Sequence, residues 1–221
     1  MRGRRRTAST AAPVVTALVA TLGLGSCSAG GTEPGDVTGV PKSWLEDTTD
    51  GWADSDGYGQ AMPHLGRGGC LLGDEPPEML GVQGGYTDVG WGPYGDDPAA
   101  PDSYRYLCGL WSPDRYAGEL QLIKVADAAA GSLLVDEFDA QTSTAVQENE
   151  VTTVTSGRLE VSVLRRWTPS NPQGAYRVLY LDEDALAAVV LEINSLDESD
   201  FAAFSDQDAA DALVAAMAAA G

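Results

Sequence analysis

Apolar residues recur at every second position through several stretches of this chain and at helical spacing in two others. Tyr104 to Trp111 (YRYLCGLW) sets Tyr104, Tyr106, Cys108 and Leu110 on one side, which predicts a half-buried strand. Glu119 to Val125 predicts a second strand, antiparallel to the first. Val151 to Thr155 and Arg158 to Thr168 flank Ser156-Gly157, a hairpin turn that leaves Leu159, Val161, Val163 and Trp167 on a common face. Ala175 to Leu181 and Leu186 to Asn194, separated by Asp182-Glu183-Asp184, predict a further pair. The sum is a meander of about six antiparallel strands.

Two segments carry the helical period. Ser205 followed by Asp206 and Asp208 is an N-terminal cap with acidic residues in the first turn, and Ala210, Leu213, Val214 and Met217 then share one side through Ala220. Asp127 to Glu148 also reads as a helix on the sheet, interrupted by Gly131 and weakened at Thr142 to Thr144. A short helix is expected after Asp74, with Pro76 and Pro77 in its first turn and a stop at Gly81. An antiparallel sheet of about six strands with a C-terminal amphipathic helix packed on one face is an α+β domain, expected over residues 61 to 221.

Between Gly81 and Ser103 lies a stretch studded with Gly and Pro and carrying Tyr86, Trp91 and Tyr94. Long connections of this kind are uncommon and often functional, so these three aromatics are the candidate ligand-binding surface. The alternative is that they fold over the sheet as a second small core.

The N-terminal pattern differs in kind. Arg2, Arg4, Arg5 and Arg6 precede an uncharged apolar run from Ala11 to Leu24, too short to span a bilayer, which needs about 20 residues. Leu24-Gly25-Ser26-Cys27 follows. Residues 1 to 26 are thus expected to be a signal peptide for the general secretory route, the apolar pair of a twin-arginine signal being missing after Arg6. Residues 27 to 60, rich in Gly, Ser, Thr, Pro and acidic side chains, are expected to be a flexible tether, the alternative for Trp44 to Gln60 being that Trp44, Trp52 and Tyr58 pack back onto the domain.

Charge narrows the partners. The chain has 13 Lys and Arg against 33 Asp and Glu; without the four leader arginines the balance is 9 against 33, or −24. No basic stripe exists to neutralise phosphates, so nucleic acid is not an expected partner. Nor is electrostatic attraction to anionic headgroups, so if the protein sits on a membrane its hold must be covalent. In an oxidising compartment Cys70 and Cys108 form an even pair and a disulfide is the default, two free buried thiols the alternative.

Catalytic chemistry is sparse. His64 is the only histidine, no Gly-x-Ser-x-Gly elbow occurs, and one His without free Cys cannot build a zinc site. Asp54-Ser55-Asp56-Gly57 matches the middle of an EF-hand loop, but Trp52 and Pro63 occupy its first and twelfth positions. Asp47, Asp50, Asp54 and Asp56 are therefore read as a solvated acidic segment rather than a calcium site. No metal, cofactor or catalytic residue is expected.

Leu24-Gly25-Ser26-Cys27 resembles the lipobox of bacterial lipoproteins. Together with Cys70-Leu71-Leu72, Cys108 with Trp111, and the Asp- and Ala-rich ending from Asp206 to Ala220, it resembles small actinobacterial envelope lipoproteins. The α+β layout is also similar to the extracellular sensor domain of mycobacterial membrane serine/threonine kinases. The resemblance implies acylation of Cys27 and a position on the outer face of the cytoplasmic membrane, and carries no activity with it. With no catalytic signature in the chain, the expected role is non-enzymatic binding or sensing, with an envelope protein or small molecule as partner, through Tyr86, Trp91 and Tyr94. An envelope polymer hydrolase with paired carboxylates, or a chaperone-like envelope protein, are the alternatives.

Overall fold

A computed structural model of the chain describes residues 32–54, 69–80, 84–94, 103–112 and 115–220. A helix, α1 (Lys42–Asp54), is followed by three strands, β1 (Tyr86–Pro93), β2 (Tyr104–Ser112) and β3 (Arg115–Lys124). Helix α2 (Ala128–Asp139) leads to four more strands: β4 (Glu148–Ser156), β5 (Leu159–Thr168), β6 (Gln173–Asp182) and β7 (Ala187–Leu196). Helices α3 (Glu198–Ala203) and α4 (Asp206–Ala219) close the chain.

The α+β expectation holds, with seven strands in one antiparallel sheet of order β1-β2-β3-β7-β6-β5-β4. It is two meanders rather than one. Helix α2 carries the chain from β3 to the far edge, and β4 to β7 return so that β7 pairs with β3, Gly118 opposite Ile193 through Lys124 opposite Ala187. Gly118 is glycine for a steric reason: a Cβ there would run into the carbonyl of Glu192 on β7.

Alternation sorts the side chains. One face, with Tyr106, Cys108, Leu120, Leu122, Val163, Val178 and Leu191, is wholly buried beneath α1, α3 and α4. Alanines 209, 210, 212 and 216 let α4 lie close to that face, and the expected cap is a full capping box, Ser205 and Asp208 each bonding the other's backbone N–H. The other face carries a smaller apolar cluster under α2, in which Leu134 and Phe138 meet Ile123, Leu164, Leu179 and Val190.

Four expectations are corrected. The tether does not extend to residue 60, because Lys42–Asp54 is a helix packed on the domain. Its stripe Trp44, Thr48 and Trp52, at spacings of four, is buried, Trp44 to 1% exposure. The expected loop after Gly81 contains β1, whose register shifts between Asp88 and Gly90. That bulge puts Tyr86 and Asp88 on the same face as Trp91 and Pro93, so the strict period of two is broken. After Asp74 the described residues form a 3-10 turn, Glu78–Leu80, in place of the expected helix, and α2 ends at Asp139 rather than near Glu148.

The first two corrections share one contact. Trp91 Nε1 donates to the carbonyl of Thr48 at 2.9 Å, and its ring lies where a Cβ on Gly51 would be. The Thr48 and Thr49 hydroxyls bond Tyr104 Oη, each at 2.9 Å, and Trp52 stacks on the Tyr104 ring. An aromatic expected at the surface is the clamp on a helix expected to be a tether.

Candidate functional site

Helix α2 covers only part of its face of the sheet. Asp127 caps it by accepting from the Ala130 N–H at 2.8 Å, and Gly131 lets its first turns settle against Leu181. Its twelve residues reach across β5, β6 and the middle of the sheet, but leave the flank toward β2 open. A cavity of about 470 Å³ opens there.

The floor and one wall are apolar: Ile123, Leu134, Phe138, Leu179 and Val190. The remaining lining is polar, from Tyr94 at the end of β1, Arg105 on β2, Gln121 on β3, Arg177 on β6, and Glu137 and Gln141 at the end of α2. These strand residues alternate away from the core of the opposite face, which is how six separate elements contribute to one site.

Gln121 is 4% exposed and its amide donates to Glu119. Arg177 lies 3.8 Å from Glu192 and 5.9 Å over the Phe138 ring, and its Nε is buried without a hydrogen-bond partner. At the rim Arg166 donates from Nη2 to Gln141 Oε1 at 3.1 Å. Burial, with Glu137 adding to it, holds the Tyr94 hydroxyl protonated above the usual phenol range, against the opposing pull of Arg177 and Arg105. It is therefore a hydrogen-bond donor at neutral pH.

Charge placement makes this cavity stand out. Of the nine cationic residues after residue 26, Arg105, Arg166 and Arg177 lie on this one sheet face, in a chain with 33 acidic residues. Two guanidinium groups, Arg105 and Arg177, lining one cavity with an apolar wall suit a ligand with an anionic group on an apolar body. Comparison with protein-family models, with curated proteins and with solved structures finds no match.

Cys70 and Cys108 form the disulfide, with Cα atoms 5.8 Å apart. Tyr86, Trp91 and Tyr94 are not brought together. Tyr86 is 6% exposed in the main core and Trp91 is clamped on α1, so neither offers a binding surface; Tyr94, facing the other way, reaches the cavity. Cys27, His64 and Asp56 lie outside the described residues. Asp47 and Asp50 are exposed on α1, and among the described residues no three His, Cys, Asp or Glu side chains are grouped to hold a metal ion. No helix among the described residues is long and apolar enough to cross a membrane.

Arg105, Gln121 and Arg177 escaped the reading of the sequence. Each sits at an outward position of a recognisable strand, next to Tyr104 and Tyr106, Leu120 and Leu122, or Tyr176 and Val178. Bringing them together requires β2 and β6 to be joined through β3 and β7, and strand order has no local signature.

A second cavity, of about 540 Å³, lies at the end of the sheet near α3. Trp167 stacks on Phe201 there at 5.1 Å, and Arg165 already covers the Phe201 ring at 4.5 Å. Glu148, Glu150 and Glu198 line it, and all three are exposed.

Proposed function

We propose that the chain is a lipid-anchored, extracytoplasmic binding or sensing protein without enzymatic activity, kin to the small actinobacterial envelope lipoproteins, and that its ligand site is the cavity beside α2. The observation that carries the site is the gathering of Arg105 and Arg177 over an apolar wall in a strongly acidic chain. The ligand is a small molecule with one anionic group and an apolar body. Arg105 and Arg177 supply the charge-assisted bonds, Tyr94 a neutral donor, and Phe138 with Leu134 the apolar contact. The anchor is carried by the leader and Leu24-Gly25-Ser26-Cys27.

Two measurements test the two halves. Anilinonaphthalene sulfonate, an apolar probe with one anionic group, is expected to bind the wild-type domain, and Arg105→Gln to weaken it about tenfold, the loss of one charge-assisted bond. Arg105 is exposed, so the fold should be unchanged. Equal affinity in the two proteins would remove the cavity from the proposal. Metabolic labelling with a fatty acid should mark the wild type and spare Cys27→Ala; equal label would overturn the anchor.

Paired-acid hydrolysis has less support. It calls for a carboxylate raised in pKa by burial within a cleft. The buried polar side chains among the described residues are Thr48, Ser103, Gln121 and Ser156, none of them acidic.

A further inference from the structure

The two edges of the sheet, β1 and β4, are built differently. β1 carries a bulge between Asp88 and Gly90 and ends in Pro93, two of the devices that keep an edge strand from pairing with another chain. β4 (ENEVTTVTS) has neither, and runs in unbroken register against β5 from Glu148 opposite Trp167 to Ser156 opposite Leu159, with no Pro, Gly or Lys. The turn at Gly157-Arg158 makes Ser156 and Leu159 a hydrogen-bonded pair, so even-numbered residues of β4 exchange bonds with β5 and odd-numbered ones turn their N–H and C=O groups to the open side. Side chains close both ends of that open side. Ser143 Oγ accepts from the Asn149 N–H at 2.9 Å and donates to the Asn149 carbonyl at 3.1 Å, and Gln207 Nε2 donates to the Thr155 carbonyl at 3.2 Å. Between these plugs the N–H and C=O groups of Val151 and Thr153 have no protein partner among the described residues.

The side chains beside this window are acidic. Glu148 and Glu150 are exposed on β4, and Asp206 on α4 accepts from Thr152 Oγ1 at 2.9 Å. Next to Val151 opens the cavity of about 540 Å³ near α3, which Glu148, Glu150 and Glu198 line together with Trp167. The cations nearby are already engaged: Arg165 lies on the Phe201 ring, Arg166 donates to Gln141, and Arg158 pairs with Asp36. Among the described residues no ion pair ties up the three glutamates.

We infer that β4 is a docking edge for an extended, basic segment of a partner protein, which pairs its main chain with Val151 and Thr153 and sends a Lys or Arg side chain into the cavity near α3. An added strand lies about 4.8 Å from β4 with alternate side chains on the α3 and α4 side of the sheet, which puts the residue opposite Glu150 at the mouth of that cavity. Two separate features select this partner: the backbone window takes an extended chain, and the carboxylates take a cation. A second copy of the chain fits less well, because it would bring Glu150 and Asp206 of both copies to one side of the joint. The inference is independent of what occupies the cavity beside α2 and of the anchor at Cys27.

The test uses the full chain and a fluorescent peptide of alternating Lys and Val. The peptide is expected to bind saturably, more weakly as salt rises, and to slow amide hydrogen exchange at Val151 and Thr153. A peptide of alternating Glu and Val, and a Lys-Val peptide N-methylated so that it cannot donate to a strand, should each bind at least about tenfold more weakly. Thr153→Pro should weaken the Lys-Val peptide as much: Thr153 is exposed, its N–H lies outside the β4–β5 ladder, and an edge strand tolerates proline at such a position. The double variant Glu148→Gln, Glu150→Gln should weaken it several-fold. Absence of binding to the wild type, equal affinity for the N-methylated peptide, or unchanged exchange at Val151 and Thr153 would overturn the inference; the N-methyl comparison decides it even if Thr153→Pro does not fold. Dimers that Thr153→Pro dissociates, in a chain indifferent to the Lys-Val peptide, would assign the edge to a second copy and overturn the peptide partner.

Discussion

Tyr106 shows how a buried hydroxyl is accommodated beside the disulfide. It donates to Asp88 Oδ1 at 2.9 Å and accepts from the Leu71 N–H at 3.2 Å, tying the Cys70 segment to β1 and β2. Burial pushes its phenol well above the ordinary range, with the Leu71 N–H opposing and Asp88 adding to the effect. Tyr86 is raised by burial alone, and Tyr180 is pushed up to about 12 by burial with Asp182 and Asp184. In each case the folded state holds a proton that the unfolded chain releases near pH 10. Above that pH the folded state binds more protons than the unfolded one, so stability falls as pH rises, and for Tyr180 the loss continues to about pH 12. Denaturant midpoints measured from neutral pH into this alkaline window should drop steeply, and Tyr180→Phe should flatten part of the slope. A midpoint that stays level across the window would contradict the burial of these hydroxyls.

At the scale of elements, α1 belongs to the fold. Trp44→Ala is expected to cost about 3–5 kcal/mol, as for other large buried aromatics, read as a lower urea midpoint; a cost below about 1 kcal/mol would mean that α1 adds no packing. Most elements were legible in the sequence because their periods were clean: β2, β3, β5, β6, β7 and α4 all follow the alternation or the helical stripe on which they were read. The failures have particular causes. The stripe Trp44, Thr48, Trp52 is helical in spacing, but acidic residues and Gly51 around it imitate a tether, and Gly51 is needed for the ring of Trp91. β1 was hidden by its bulge, which moves the positions facing the α1 side of the sheet from even to odd numbers between Asp88 and Gly90. The cavity was illegible for a reason of topology, Arg105 and Arg177 being separated by two strands that only the folded sheet aligns.

Across the whole molecule, the disulfide joins the segment before β1 to β2, over a sequence separation of 38. In the chain-entropy account, closing such a loop stabilises by about 4 kcal/mol. The Cys70→Ala, Cys108→Ala double variant should therefore melt well below the wild type, and its failure to do so would show that the loop is already restrained in the unfolded chain. The sheet order has a consequence for how such a protein comes into being. β7, the last of the seven strands in chain order, lies against β3 in the interior of the sheet and is the strand by which the second meander joins the first. Contacts of such long sequence separation form slowly. A chain emerging N-terminus first can make its β1–β2–β3 pairings and its disulfide early, yet must wait for β7 before the two halves join. Until then the inner edge of β3 stands unpaired, and the window for mispairing or proteolysis stays open until β7 has emerged.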